Sequence, residues 1–198
     1  MTPATASSET TVFDAFAARA RRAAARFVGS LVAAGFADFS LVAFHFQKAH
    51  VVATDVIPIF YSAAMATGAL SSLVLGRLLD RFGLPVVLVA FFLAAFFAPF
   101  VFFGNATFAL LGMLLWGLGM GVQDSALKAL LSGVVPADKR STAFGVYDTG
   151  FGLAWFLGSA AMGLLYDKSI LALVLFSLVA HFAALPVFLL AKGQSRKT

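Results

Sequence analysis

Residues 56–103 read VIPIFYSAAMATGALSSLVLGRLLDRFGLPVVLVAFFLAAFFAPFVFF. Two apolar runs, Val56 to Leu75 and Leu84 to Phe103, are parted by the eight residues Gly76-Arg77-Leu78-Leu79-Asp80-Arg81-Phe82-Gly83. Each run is long enough to cross the hydrocarbon of a bilayer, which takes about 20 helical residues at ~1.5 Å of rise. Neither alternates with period 2, as a barrel strand would. Backbone amides cannot go unpaired in lipid, so both runs are expected to be membrane helices joined by a short polar turn.

The same pattern extends in both directions. Further apolar runs occupy Phe27 to Phe46, Ala106 to Val135, Thr142 to Leu165 and Ile170 to Leu190. They are separated at Gln47 to Asp55, Gly104-Asn105, Pro136 to Ser141 and Tyr166 to Ser169. The chain therefore reads as an all-α membrane protein with six transmembrane helices. Of its 198 residues, 61% are apolar and 12% charged, against about 25% charged in a soluble domain, which excludes a soluble enzyme. Cysteine is absent, so disulfides and thiolate metal sites are excluded. The sequence also lacks a phosphate-binding Gly-x-x-x-x-Gly-Lys-Ser/Thr loop, the Gly-x-Ser-Gly of intramembrane serine proteases and the Pro-x-Asp/Glu-x-x-Lys/Arg repeats of mitochondrial-type carriers. No enzymatic activity, cofactor or metal is expected.

The net charge is +5, and its placement sets an orientation, because Lys and Arg are retained on the cytoplasmic side during insertion. With the N-terminus inside, eleven basic residues fall on inner segments: Arg19, Arg21, Arg22, Arg26, Arg77, Arg81, Lys139, Arg140, Lys192, Arg196 and Lys197. Only Lys48 and Lys168 fall outside. Both termini are thus expected in the cytoplasm, and the basic load suits membrane topology rather than nucleic acid. Residues 1–26 read as a cytoplasmic segment with an amphipathic basic helix: Phe13, Phe16, Ala17, Ala20 and Ala24 line one face, and Arg19, Arg22 and Arg26 the other. The six-helix bundle takes 27–192, and 193–198 form a cytoplasmic tail.

One motif recurs. Gly76-Arg77-Leu78-Leu79-Asp80-Arg81 follows the second span and Gly163-Leu164-Leu165-Tyr166-Asp167-Lys168 the fifth, 87 residues later. Three helices lie between the copies, as an inverted pair of three-helix units requires.

Here the chain resembles the major facilitator superfamily, specifically the C-terminal six-helix half of a bacterial or archaeal member. Gly76-x-x-x-Asp80-Arg81-x-Gly83 is similar to the signature loop between the second and third helices of a half. Trp116-Gly117-x-Gly119-x-Gly121-x-Gln123-Asp124, Val135-Pro136-x-x-x-Arg140, Gly145, Gly158 and Gly163-x-x-Tyr166-Asp167 follow in the order found in relatives. Leu84 and Pro85 depart from the further basic residues that usually end the loop. The resemblance implies a small-solute transporter in the cytoplasmic (inner) membrane, multi-pass. It also implies alternating access and a second six-helix half, supplied by a homodimer partner or a separate polypeptide. It gives Gly76, Asp80, Arg81, Gly83 and Arg140 to a conformational-switch loop, in which glycines permit a tight reverse turn and Asp80 complements a helix N-terminus.

Ionisable residues inside spans carry the sharpest chemical signal, since each costs several kcal/mol unless paired or hydrated. Asp38 lies in the first span, Asp124 and Lys128 in the fourth, and Asp148 in the fifth. Asp124 and Lys128 are four apart and share a face. Lys128 and Asp148 sit at matching depths, roughly 12 Å from the cytoplasmic end at ~1.5 Å per residue. Lys128 between Asp124 and Asp148, with Asp38 across a cavity, makes a group of three carboxylates and one ammonium. Such a group cannot stay fully charged cheaply, so it is expected to exchange a proton near neutral pH and to couple transport to protons. The other reading of the group is a static salt bridge between Lys128 and Asp148. Gln123 and Tyr147 are candidates to line the pathway.

Small residues recur every four positions at Gly117, Gly121, Ser125, Ala129 and Gly133, and again at Gly150, Ala154 and Gly158, which suits close helix packing in lipid. Pro58, Pro99 and Pro186 mark kinks. His181 is expected to make a structural hydrogen bond and Asp55 to cap a helix. The competing class is a non-transporting membrane scaffold or regulatory subunit that keeps the half-bundle fold.

Overall fold

A computed structural model describes residues 32–128, 135, 138 and 140–193. The expected amphipathic segment, 1–26, and the tail from 194 onward lie outside the described residues. The helices are α1 (Phe39–Lys48), α2 (Ile57–Phe82, entered through a 3-10 turn at Thr54–Val56), α3 (Leu84–Ala95), α4 (Phe97–Phe103), α5 (Ala106–Val122, continued by a π-helical turn at Gln123–Leu127), α6 (Arg140–Lys168) and α7 (Ile170–Gly193). No strand occurs among the described residues. Four stretches are long and apolar enough to cross a membrane: Thr54–Phe82, Pro85–Phe103, Ala106–Ser125 and Arg140–Lys168. Ile170–Ala184 adds a shorter apolar helix.

The connections are tighter than the sequence reading has them. The polar octet 76–83 is not a loop, because α2 continues through Gly76 and Asp80 to Phe82. Gly83 alone makes the turn, at φ 70°, a region that costs a residue with a Cβ about 1–2 kcal/mol, and its N–H closes on the Leu79 carbonyl at 2.8 Å. Gly76 is ordinary helix with open space around it. Likewise α6 begins at Arg140 and runs through Tyr166 to Lys168, leaving Ser169 as the only residue before α7. Asn105 caps α5, its side chain accepting from the Thr107 and Phe108 amides. Pro58 lies in the first turn of α2, where a missing N–H costs nothing, so it makes no kink. The third span does break, at Phe96, three residues before Pro99. Asp55 sits within the 3-10 turn rather than capping it.

Contacts between numbered residues give the relative directions. Gly117 and Gly121 of α5 press on Ala64 and Gly68 of α2 respectively, so these helices run parallel. A Cβ on Gly117 would overlap the Ala64 carbonyl, and one on Gly121 would overlap Ser71 Oγ and the Gly68 carbonyl. Gly112 meets Val101 while Gly119 meets Ala94, so α5 opposes the α3–α4 pair. Residues 32–48 run parallel to that pair, with Phe36 on Phe97 and His45 on Phe102. They also run parallel to α6, with Ala34 on Gly158 and His45 on Tyr166. It follows that α2 and α6 are antiparallel, and the two Gly-x-x-x-Asp-basic copies close helices at opposite ends of the bundle.

The first expected span is interrupted. Residues 32–35 are helical, Phe36 to Asp38 are not, and α1 restarts at Phe39. An interruption inside an apolar segment frees carbonyls that need donors, and neighbouring helices supply them. Trp116 Nε1 donates to the Ala37 carbonyl at 3.0 Å, and Ser177 Oγ donates to the Gly35 carbonyl at 2.7 Å. Asp38 Oδ1 accepts from the Ser40 amide at 2.8 Å. Phe36, fully buried, fills the gap by packing on Phe97, Trp116 and His181.

Trp116→Phe keeps the ring but leaves the Ala37 carbonyl unpaired, which costs about 1–3 kcal/mol. The variant is expected to melt several degrees lower in detergent, and an unchanged melting temperature would contradict this role. Gly121→Ile is expected to abolish assembly of the bundle, judged by monodispersity on extraction. Gly150→Ala, whose Cβ meets nothing within 4 Å, should extract like the parent chain.

Candidate functional site

The fourth span carries its charges on an irregular turn. After Val122 the backbone widens into the π-helical turn Gln123–Leu127, a distortion often found at functional positions. It places Asp124 Oδ1 3.3 Å from Lys128 Nζ. The pair is not covered by this chain: the Asp124 side chain is 65% exposed and that of Lys128 46%. Gln123, one position earlier, points the other way and is 5% exposed. Neither of its amide atoms has a partner among the described residues. Ser125 Oγ donates to the Gly121 carbonyl at 2.7 Å, within the same turn of helix.

The other two pathway candidates, Tyr147 and Asp148, are neighbours on α6. Tyr147 is 6% exposed, and its hydroxyl has no partner among the described residues. Asp148 is exposed and makes no ion pair among the described residues. The static alternative, a Lys128–Asp148 bridge, is therefore not the arrangement seen: Lys128 is held by Asp124 on its own helix. Asp124 and Lys128 are thus brought together on one turn, while Tyr147 and Asp148 are neighbours on α6.

Asp38 is not a mid-helix carboxylate. It is the N-cap of α1, placed beside the break that Trp116 closes, and Trp116 precedes Asp124 on α5 by eight residues, about two turns. The helix break that gives Asp38 this role has no proline to announce it.

The residues of the supposed switch loop are spread along helix ends. Gly76, Asp80 and Arg81 lie in the last two turns of α2, with Arg81 over the Phe82 ring at 5.2 Å, and Gly83 turns the chain. Asp80 is exposed and has no ion pair among the described residues, so it is not neutralised by Arg77 or Arg81. Arg140 Nε donates to the Val135 carbonyl at 3.4 Å, tying the start of α6 to the segment before it.

Two features go beyond the sequence reading. Tyr147, Phe151 and Trp155 form an aromatic ladder along α6, with centroids 5.9 and 5.7 Å apart, and Trp155 meets Phe36 at 6.3 Å. Their four-residue spacing is legible in the sequence once α6 is known to be one helix. The second feature lies at the far end of that helix. His45 and the Tyr166 hydroxyl share a buried hydrogen bond of 3.0 Å, and Lys48 Nζ sits 5.1 Å from the Tyr166 ring centroid. His181 makes the expected structural bond, Nδ1 donating to the Ser177 carbonyl at 2.8 Å. Among the described residues no group of His, Asp and Glu could hold a metal ion.

Comparison with known proteins agrees with a bundle of apolar, membrane-capable helices. The family model described as Major Facilitator Superfamily matches residues 20–198. Uncharacterized protein Rv2265 of Mycobacterium tuberculosis and Uncharacterized protein Mb2288 of Mycobacterium bovis are each 37% identical to the chain over 156 residues. That alignment takes in 75% of this chain and 38% of each relative, so the chain spans well under half the length of the curated relatives it matches. With the match running over nearly all of its length, and with helices built to cross a bilayer, this multi-pass membrane protein belongs to the major facilitator superfamily.

Proposed function

We propose that the chain is one six-helix half of a secondary transporter that moves a small solute by alternating access. It pairs with a second bundle, either another copy of itself or a separate polypeptide, and it couples transport to protons through Asp124, Lys128 and Asp148. Bacterial or archaeal inner membrane is the setting we infer, with both termini in the cytoplasm.

The observation that carries the reading is an ion pair left uncovered inside an apolar helix. A charged pair facing lipid is costly, so Asp124 and Lys128 need either water or a second protein surface. The helices flanking the site need the same. Only 17% of the spanning window of Thr54–Phe82 and of Arg140–Lys168 is buried by the chain itself, against 50% for Pro85–Phe103 and Ala106–Ser125. A partner bundle across α2 and α6 would cover them and enclose the charged turn in a cavity. The curated relatives, about twice as long as this chain by the two shares of the alignment, have room for a second bundle of this size. Asp80 and Arg140 then serve as contacts that form and break between halves at the helix ends.

Two measurements test this. In lipid nanodiscs the purified chain is expected to run as a dimer, or to become one complex with a co-expressed second half; a stable monomer that nothing joins counts against pairing. In proteoliposomes with an imposed pH gradient, uptake from a solute panel should depend on pH for the parent chain. Asp124→Asn should remove that dependence while residual exchange persists. PH-dependent uptake that survives the substitution would remove Asp124 from the coupling.

A further inference from the structure

The short helix α1, ten residues long, is attached to two different neighbours. On one side Phe39 packs on Tyr61 at 4.3 Å and Phe46 meets Phe60 edge-on at 5.8 Å, which ties α1 to α2. On the other, His45 Nδ1 and the Tyr166 hydroxyl lie 3.0 Å apart, which ties its last turn to the last turn of α6. His45 and Tyr166 are both buried, and Phe102 of α4 packs on their rings at 4.9 and 6.3 Å. Among the described residues this is the one side-chain hydrogen bond between α1 and α6. Lys48, one turn beyond His45, sets its ammonium 5.1 Å from the Tyr166 ring centroid and 5.2 Å from that of Phe44. The other charged groups at this end are Asp167 and Lys168 beside Tyr166, His50 after α1 and Asp55 before α2. All four are exposed and make no ion pair among the described residues, and α4 has no ionisable residue.

A tyrosine that donates its proton gains electron density in its ring, and a cation held over that ring gains with it. The Lys48 ammonium therefore favours the arrangement in which the Tyr166 hydroxyl donates and a neutral His45 Nδ1 accepts. Protonation of His45 makes both ring nitrogens donors. The Tyr166 hydroxyl must then accept, its ring loses density to the imidazolium, and two positive charges act on one phenol with no carboxylate paired to either. An enclosed, uncompensated charge is costly, and moving His45 out to water relieves it. We propose that the His45–Tyr166 bond is a proton-operated latch between α1 and α6, which holds while the imidazole is neutral and lets go when it takes up a proton. On release α1 stays with α2 through Phe39 and Phe46, so α2 and α6 part at the end of the bundle that carries Lys48. The neutral form is the one that closes the latch, so it is shut above the range in which imidazole titrates, about pH 5 to 8, and open below it. The latch uses neither the Asp124–Lys128 pair nor Asp148, and it stands whether or not those residues couple transport to protons.

The test places spin labels at Gln47→Cys on α1 and Leu157→Cys on α6, both exposed positions, in a chain with no cysteine of its own. Label-to-label distances are measured on the full chain in lipid nanodiscs by pulsed electron paramagnetic resonance, at about pH 8 and about pH 5. One narrow distribution is expected at the higher pH, joined at the lower pH by a second population several ångströms longer. His45→Gln takes up no proton, and its amide can still bond the Tyr166 hydroxyl. It should keep the single narrow distribution at both pH values, a result that loss of fold cannot produce. Tyr166→Phe should show the longer population already at the higher pH, and Asp124→Asn should respond to acid like the parent. The proposal is overturned by a parent distribution that acid leaves unchanged, by a longer population in acidified His45→Gln, by a Tyr166→Phe chain that behaves like the parent, or by loss of the response in Asp124→Asn, which would assign the proton to the charged turn. Distances that ignore pH in a chain whose uptake depends on it would sink the latch and leave the transport reading standing.

Discussion

Every backbone carbonyl at membrane depth must find a donor inside the protein, and the interruption at Phe36 to Asp38 is where this chain meets that demand by tertiary means. Elsewhere the helices pair their own backbone. At the break, α5 lends Trp116 and α7 lends Ser177, while Asp38 restarts the ladder from within. Three parts of the bundle distant in sequence are thereby fixed to one point. The aromatic packing around Phe36 is the apolar complement of those bonds, joining α4, α5 and α7 and reaching α6 through Trp155. The position of the charged turn relative to α6 depends on this anchor, since α5 carries both Trp116 and Asp124.

Around the anchor, helix approach is set by backbone rather than by side chains. Gly117 and Gly121 bring α5 onto α2, and Gly158 brings α6 onto Ala34. Larger residues there would push the helices apart and detach the charged turn from its surroundings. The remaining glycines of α6, at 145, 150, 152 and 163, meet nothing within 4 Å. They lie on helix surface that this chain leaves bare, in keeping with the low coverage of α6 as a whole.

Much of this was legible from residue patterns alone. Apolar run lengths locate the helices, and the spacing of Trp116 to Asp124 together with the Gly-x-x-x-Asp repeat points to the family. The Asp124–Lys128 pairing follows from a four-residue separation. What residue types do not disclose is where a helix stops when no proline or turn residue says so. Gly76 and Asp80 look like loop residues because they are small and polar, yet they stay helical, since at a membrane surface polar side chains are solvated without the backbone unwinding. Asp38 looks like a buried charge because its neighbours are apolar. It is a cap, since a break needs donors from Trp116 and Ser177, which lie 78 and 139 residues further along the chain and so leave no local trace. The π-helical turn is hidden for a similar reason: one extra residue in a helical turn changes no composition.

The single-residue joints at Gly83 and Ser169 have a mechanical meaning. With no slack between α2 and α3, or between α6 and α7, a tilt of one helix cannot be absorbed in a connecting loop and is passed at once to its neighbour. The two joints sit at opposite ends of the bundle, so the chain contains two stiff levers hinged at opposite ends. Motion that opens one end of such a pair draws the other end in.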